Sequence, residues 1–186
     1  MKSASKGVKK VSPRYSEKGK AAAAEKSGSG KLEEPAVGYI VSPVNLTINY
    51  LGGKHALRGA KVPQSDYEYI DLINAGLPKL SFDYLLNITG LSITEMADIF
   101  NITDRTLRRY TPNTVLSREQ SERAVEIARL YNRGNEVLGT LEYFKVWMNS
   151  PLPVLGGKKP KTCLGTSLGI SLLTKILGRM EYGVYS

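Results

Sequence analysis

Apolar residues recur every three or four positions from Ser65 onward, and this spacing restricts the fold to packed helices. The segments Ser65–Glu68 and Ser117–Gln120 have the spacing of capping boxes, which open helices. Gly and Pro residues separate the periodic segments, and no β-hairpin pattern occurs after Ser65. The sequence therefore predicts an all-α protein.

The same pattern gives approximate bounds for the helices. Besides a helix pair described below, helices are expected to open near Ser65, Ser81, Ser117, Glu136 and Ser167. The first two should end at Gly76 and Gly90, and the last two at Met148 and Leu177. The residues expected to face the core are Tyr69, Ile70, Ile73, Phe82, Leu85, Leu86, Ala124, Ile127, Ala128, Tyr131, Val137, Leu141, Phe144, Met148, Ile170, Leu173 and Leu177. On the outer face of the longest helix, Glu119 and Arg123 have the favourable i,i+4 order of an ion pair.

The segment 36–63 is less regular. Residues 38–41 fit an extended conformation, and residues 45–57 fit a helix interrupted by Gly52 and Gly53.

The positive charge of the chain is concentrated at its start. There are 26 Lys and Arg against 17 Asp and Glu, a net charge of +9. Residues 1–31 hold nine basic and two acidic side chains, so the remaining residues carry only +2. Residues 1–34 also have few large apolar side chains, which predicts a disordered basic tail. The tail could be a solubilising arm or a weak, non-specific contact to DNA or RNA, and the sequence leaves both open.

The inventory of reactive side chains argues against chemistry. One His and one Cys exclude a disulfide framework and a four-ligand Cys/His zinc site within one chain. His55 lies in a Gly-rich segment without a companion nucleophile and carboxylate, and Cys163 lies among Leu and Thr. We expect no catalysis, no cofactor and no metal. With no signal peptide or membrane-spanning stretch evident, a soluble cytoplasmic protein is expected.

The segment Ile93–Tyr110 has the pattern of a helix-turn-helix unit. Ala97 is small where two helices would cross, and Asn101 stands at the turn, where Asn tolerates a left-handed backbone. Thr103 is placed to cap the second helix, and Pro112 limits its length. The apolar residues that would close the unit are Met96, Phe100, Ile102, Leu107 and Tyr110.

The second helix of this unit predicts a contact with DNA. In helix-turn-helix proteins its first turn and exposed face enter the major groove, where Arg binds guanine O6 and N7 through two hydrogen bonds. The candidate DNA-binding residues are Thr103, Asp104, Arg105, Arg108 and Arg109. Specific recognition is expected to need a homodimer on a two-fold related site. A degenerate unit kept only as a scaffold is the alternative reading.

The stretch from Trp147 to Pro160 predicts a tight connection between two helices. Trp147 is placed as an anchor at a helix end, and Gly156 and Gly157 allow a tight backbone turn. Pro160 is placed to start the next helix. The Gly-Gly-Lys run in this stretch lacks the spacing of a phosphate-binding loop.

The C-terminal motif set resembles the toxin-binding domain of the Xre/MbcA/ParS antitoxins, in particular the Xre partners of RES-domain toxins. The residues that carry the resemblance are Trp147, Pro151, Leu155, Gly156, Gly157, Pro160, Leu164, Thr166, Gly169, Leu177 and the ending 178–186. The preceding segment follows the family layout through Leu51–Gly53, Gly76–Pro78, Thr106–Arg109 and Leu116–Leu130. The resemblance covers residues 45–186. Asn101 at the turn, Gly165 where an acidic residue is common, and the basic tail depart from the family pattern.

The resemblance implies a type II antitoxin without catalytic activity. Such a protein sequesters a toxin that consumes NAD and represses its own operon through the helix-turn-helix. After the tail 1–34, which composition predicts, the chain is expected to contain an N-terminal helical region 35–116, with the helix-turn-helix at 92–110, and a toxin-binding domain 117–186. The end of the chain is expected to enter the active site of the toxin. The residues implied in toxin binding are Arg179, Glu181, Tyr182, Gly183, Val184, Tyr185 and Ser186.

Two alternatives stay open at the level of sequence. Met180 and Tyr182 could simply pack the last helix while the final residues fray. The chain could also be a free-standing helix-turn-helix transcription regulator without a toxin partner.

Overall fold

The computed structural model describes residues 43–57 and 61–183, and within these residues short turns join nine α-helices. The helices are α1 (Pro43–Tyr50), α2 (Gly53–Ala56), α3 (Asp66–Ala75), α4 (Lys79–Thr89), α5 (Ile93–Ile99), α6 (Asp104–Arg109), α7 (Arg118–Leu138), α8 (Leu141–Asn149) and α9 (Ser167–Glu181). Two 3-10 turns, Pro153–Leu155 and Pro160–Cys163, lie between α8 and α9. The described residues form isolated β-bridges and no strand, which confirms the all-α prediction.

The 21-residue helix α7 is the element against which most others pack. It opens with the expected capping box, in which Ser117 Oγ accepts from the Gln120 amide at 3.2 Å and Gln120 Oε1 accepts from the Ser117 amide at 3.0 Å. Helices α1, α3, α4, α8 and α9 all contact α7. As a result, one apolar cluster extends through the described chain from Ile48 to Leu177.

Helices α7 and α8 approach each other closely at one glycine. The Phe144 ring of α8 meets the Tyr131 ring edge-on at 4.9 Å between centroids and stacks on Trp147 at 5.6 Å. A Cβ atom on Gly134 would lie 2.2 Å from this Phe144 ring. Gly134 therefore provides the space that the buried aromatic side chain occupies.

The start of α4 differs from the sequence-based expectation. Ser81 does not open the helix; it lies buried in its first turn, and the N-cap position is Pro78. The first amides of α4 donate instead to a distant segment, Lys79 to the Thr114 carbonyl at 2.8 Å and Leu80 to the Pro112 carbonyl at 3.3 Å. A tertiary contact thus satisfies the helix start, so no local capping side chain is needed.

The boundary between α7 and α8 also differs from the one that the sequence predicts. Glu136 lies inside α7, which continues to Leu138 and ends where Gly139 adopts a φ of 82°. Thr140 then caps α8 by accepting a hydrogen bond from the Tyr143 amide at 3.2 Å. The Gly-Thr pair separates two helices whose apolar periodicity nearly continues from one to the other.

Three side-chain expectations need correction. Ile70 is half exposed on α3 and outside the core. Glu68 does not return a hydrogen bond to Ser65, because its carboxylate accepts from the Gln64 amide at 2.6 Å and from Lys61. Arg123 pairs with Glu126 at 2.9 Å, and so does not form the expected i,i+4 pair with Glu119.

Other boundaries are confirmed. Helix α3 ends before Gly76, α4 ends at Gly90, and the helix near residues 45–57 is interrupted at Gly52 and Gly53, both with positive φ. Helix α9 continues four residues past the expected end at Leu177. The extended segment expected at 38–41 and the tail 1–34 lie outside the described residues. Among the described helices, none has the length and apolarity needed to span a bilayer.

Replacing Gly134 with Ala should destabilise the protein by about 1–3 kcal/mol, because the added methyl group overpacks the contact with Phe144. Urea-induced unfolding measures the difference. Gly178→Ala is the matched control, since Gly178 lies in α9 with no atom near its would-be Cβ. That variant should be stabilised by about 0.5–1 kcal/mol. Equal effects at the two glycines would contradict the close approach.

Candidate DNA-binding and protein-binding surfaces

Helices α5 and α6 form the expected helix-turn-helix. Asn101 in the turn has a φ of 52°, the only positive φ at a non-glycine residue in the described ranges. Ala97 is 2% exposed where the helices cross, and its carbonyl accepts from the Ile102 amide at 3.0 Å. Thr103 Oγ1 caps α6 by accepting from the Thr106 amide at 3.1 Å. The turn residue, the small crossing residue and the cap thus all have the conformations that the sequence predicts.

One contact holds the unit against α4, and another joins its two helices. Phe100, at the end of α5, packs edge-on against Phe82 of α4 at 4.9 Å between centroids. Thr94 Oγ1 in the first turn of α5 lies 3.2 Å from Asp104 Oδ2 in the first turn of α6. The first turns of the two helices are therefore adjacent.

Three arginines form the exposed cationic face of α6. Arg105, Arg108 and Arg109 are all exposed, and none forms an ion pair with another described residue. Their three- and four-residue spacing places them on one side of the helix. Asp104 and Thr103 are also at this surface, but their side chains take part in the Thr94 contact and the helix cap. The DNA-binding role of all five residues stays a prediction.

The predicted structural motif forms a closed loop between α8 and α9. Trp147 is half-buried against Phe144, and Gly156 and Gly157 have φ of 64° and 78°. The Leu152 amide donates to the Lys158 carbonyl at 3.1 Å, and the Gly157 amide donates to the Leu152 carbonyl at 2.9 Å. Buried Pro160 begins a 3-10 turn, where the sequence suggested the start of a longer helix.

The last described residues combine a fixed carboxylate with exposed groups. Glu181 forms an ion pair with Arg133 of α7, which also pairs with Glu136. Tyr182 is 79% exposed, so it does not pack the last helix, and Arg179 is exposed as well. Gly183 adopts a φ of 67° just past the helix end. Val184, Tyr185 and Ser186 lie outside the described residues.

Helix α9 also has an exposed apolar face that sequence reasoning missed. Leu168 is 82% exposed and Leu172 is 42% exposed, whereas Ile170, Leu173 and Leu177 are buried as expected. The sequence spacing could have indicated this face, since Leu168 and Leu172 are four residues apart and lie on a different side of the helix from the buried residues Ile170, Leu173 and Leu177. Together with Arg179 and Tyr182 they form what we call the α9 outer face.

An ion pair connects the loop to the helix-turn-helix. Lys161 Nζ, in the second 3-10 turn, lies 2.7 Å from Glu95 Oε1 in the first turn of α5. The hydrogen bond from Lys161, with another from the Ser92 amide, lowers the pKa of Glu95 from 4.5 to about 2. Ser92 and Glu95 also form a capping box, so this carboxylate stabilises α5 and holds the loop at once.

His55 and Cys163, to which the sequence analysis assigns no catalytic role, lie on different elements. His55 is exposed on α2, and Cys163 is half-buried at the end of the second 3-10 turn. In the described ranges no three His, Cys, Asp or Glu side chains are grouped to hold a metal ion.

Two domain families match this chain. Residues 68–129 match the antitoxin Xre-like helix-turn-helix domain, which includes α5 and α6. Residues 133–183 match the antitoxin Xre/MbcA/ParS C-terminal toxin-binding domain, which includes α8, the closed loop and α9. The two ranges meet inside α7.

Two proteins named as antitoxins are identical to this chain at about a quarter of the aligned residues. "Antitoxin Xre" of Yersinia enterocolitica is 27% identical over 119 residues, which cover 63% of this chain and 80% of that protein. "Prs ADP-ribosylating antitoxin" of a Sphingobium strain is 27% identical over 132 residues, which cover 66% and 83%. The crystal structure of the Mycobacterium tuberculosis MbcT–MbcA toxin–antitoxin complex gives a TM-score of 0.40 at 21% identity, covering 54% of this chain and 90% of that one.

Lys161→Met should destabilise the protein in a pH-dependent way. The folded pKa of Glu95 is about 2, below the ordinary value of 4.5, so its stabilisation is complete above about pH 5 and is lost as the pH falls towards 2. The variant should be less stable than wild type at pH 6, within the roughly 0.2–1 kcal/mol of partly exposed ion pairs, and the difference should shrink at pH 3. Chemical unfolding at both pH values measures this. Lys158→Met, at an exposed lysine, should show no such trend; a constant difference for Lys161→Met would contradict the pair.

Proposed function

We propose that this chain is an antitoxin of the Xre/MbcA/ParS family that neutralises a RES-domain toxin and represses its own operon. The two domain matches, to an antitoxin helix-turn-helix domain and to an antitoxin toxin-binding domain, support an antitoxin that binds a toxin. The identity of the toxin, the way it is inhibited and the autoregulation are our proposals. The observation that carries them is the separation of two exposed surfaces, one cationic on α6 and one aromatic and apolar on α9.

The proposed toxin is an NAD-consuming RES-domain protein. The resemblance of the closed loop and of the ending 178–186 to the Xre partners of such toxins supports this choice. One relative has "ADP-ribosylating antitoxin" in its name, and ADP-ribosyl transfer is a reaction that consumes NAD.

The end of α9 is the part of the chain that we propose to enter the active site of the toxin. Tyr182 is exposed, Arg179 is near it on the same helix, and Gly183 lets the backbone turn away from the helix axis. An aromatic anchor beside a cation suits a pocket that otherwise holds a nucleotide cofactor. Leu168 and Leu172 extend this surface along α9, so the outer face is proposed to lie against the rim of the same pocket.

Glu181 is proposed to position this end without entering the pocket. Its carboxylate pairs with Arg133, and this pair fixes the last turn of α9 to α7. An end held in one orientation loses less conformational entropy on binding than a free one. This changes the role that the sequence resemblance implied for Glu181, while Tyr182 and Arg179 keep theirs.

Repression is proposed to act through the three arginines of α6 on operator DNA. A single helix-turn-helix reads only a few base pairs, so we propose that a homodimer binds two half-sites related by two-fold symmetry. The exposed arginines have no internal partners in the described part of the chain, which leaves them available for guanine. The proposed function is non-catalytic, with His55 and Cys163 given no chemical role.

Deleting residues 182–186 should abolish neutralisation of the cognate toxin while fold and DNA binding persist. The deletion keeps Glu181 and the buried side of α9, but it removes the exposed aromatic anchor; loss of one such anchor typically weakens binding by about 30-fold or more. Growth on co-expression with the toxin measures neutralisation, and thermal unfolding monitors the fold. Tyr143→Ala is the matched control, since Tyr143 is an equally surface-placed tyrosine on α8. Protection by the truncated chain would reject this role for the end.

Replacing Arg108 and Arg109 with Ala should abolish operator shifts and leave neutralisation intact. Each bidentate Arg–guanine pair contributes about 1–3 kcal/mol of discrimination, so operator affinity should fall at least tenfold. Gel shifts with DNA from upstream of the reading frame, against a scrambled duplex, give the measurement. A variant with Lys at both positions keeps the charge but cannot donate two hydrogen bonds to one guanine. It should therefore still bind scrambled DNA but lose the preference for the operator. Unchanged operator shifts in the Ala variant would contradict the assignment.

A further inference from the structure

Two lysines in the closed loop have no role in either proposed surface. Lys158 and Lys159 are exposed, and neither forms an ion pair within the described residues. Their backbone is held on both sides, by the bond from the Leu152 amide to the Lys158 carbonyl and by buried Pro160. The loop therefore presents two unpaired cations from a fixed position.

The position of these lysines is set by the ion pair between Lys161 and Glu95. Lys161 contacts the first turn of α5 at 2.7 Å, and Lys159 is only two residues away. Two residues of chain span at most about 7 Å, and the three residues from Lys158 at most about 11 Å. The Cα atoms of both lysines therefore lie within about 11 Å of the Cα atom of Lys161, whose ammonium group contacts the first turn of α5. That turn is joined to the first turn of α6 by the contact between Thr94 and Asp104.

This end of a helix-turn-helix faces the DNA backbone when the second helix lies in the major groove. The first helix of the unit crosses the backbone, and the first turn of the second helix reaches the bases. Cations beside the first turn of α5 would then meet phosphates, whereas the arginines of α6 meet base edges.

We propose that Lys158 and Lys159 form a phosphate-binding clamp that extends the DNA interface from the helix-turn-helix into the toxin-binding domain. The inference rests on the proposed operator binding and adds a second element to it. The ammonium groups are the donors, because the amides of Gly156, Gly157 and Lys158 donate to carbonyls within the loop. Lys161 takes no part, since it neutralises Glu95, the carboxylate that would otherwise repel a phosphate at this place.

The test is the salt dependence of DNA binding by the full chain carrying Lys158→Ala and Lys159→Ala. Each phosphate contact contributes about 0.9 to the slope of log affinity against log salt, so the slope should become shallower by about 1.8 for each bound protomer, which is about 3.6 for the proposed homodimer. Operator and scrambled duplexes should lose affinity by the same factor, because phosphate contacts do not read sequence. Fluorescence anisotropy at several salt concentrations, for both duplexes, gives these values.

The charge-matched control is Lys54→Ala with Lys145→Ala, on α2 and α8. It removes two positive charges outside the loop and the helix-turn-helix, and its slope should stay near that of wild type. An equal change in the control would overturn the clamp in favour of bulk charge. A loop variant whose slopes equal those of wild type would also overturn the clamp. So would a loop variant that binds DNA normally but does not neutralise the toxin, because the two lysines would then be toxin contacts. If the wild-type chain binds neither duplex, the proposed operator binding is wrong. If the wild-type chain prefers the operator and the loop variant has the same affinities and slopes, only the clamp proposal is wrong.

Discussion

Burial of one face of α7 is the interaction on which the two proposed surfaces depend. Helices α8 and α9, which follow α7 in the sequence, pack on it. Helix α4, which contacts the helix-turn-helix through Phe82 and Phe100, packs on it as well. The two matched domain ranges meet within this helix. The assignment of residues 35–116 and 117–186 to separate functions stays a prediction, but the described parts of both share one apolar core. Their stabilities are therefore coupled, because both parts bury apolar side chains against the same helix.

Two ion pairs between residues far apart in sequence orient the surfaces on this core. Lys161 with Glu95 joins the closed loop to α5, and Arg133 with Glu181 joins the last turn of α9 to α7. Each pair is partly exposed, so its energy is modest. Their importance is geometric, because each joins the end of one element to a neighbouring helix through partly exposed side chains at the edge of the apolar core.

Local signals in the sequence predicted what local interactions determine. The Ser117 capping box, the left-handed Asn101 and the Thr103 cap depend on residues within a few positions of each other, and all three have the expected geometry. The start of α4 could not be predicted in this way, because its amides are satisfied by carbonyls some thirty residues further along the chain. Glu181 belongs to the same class: its partner Arg133 is 48 residues away, and nothing near Glu181 in sequence indicates the pair.

The distribution of charge follows from these internal contacts. Residues 32–186 carry a net charge of only +2, yet α6 presents three unpaired arginines, and two of the carboxylates near it have internal partners. Asp104 is close to Thr94, and Glu95 is held by Lys161 and by the Ser92 amide; exposed Asp98 is the exception. The arginines of α6 and the lysines of the loop have no such partners in the described residues. A nearly neutral body can thus present a local cationic surface, because Asp104 and Glu95 are already hydrogen-bonded within the fold while the exposed arginines of α6 are left for a polyanion.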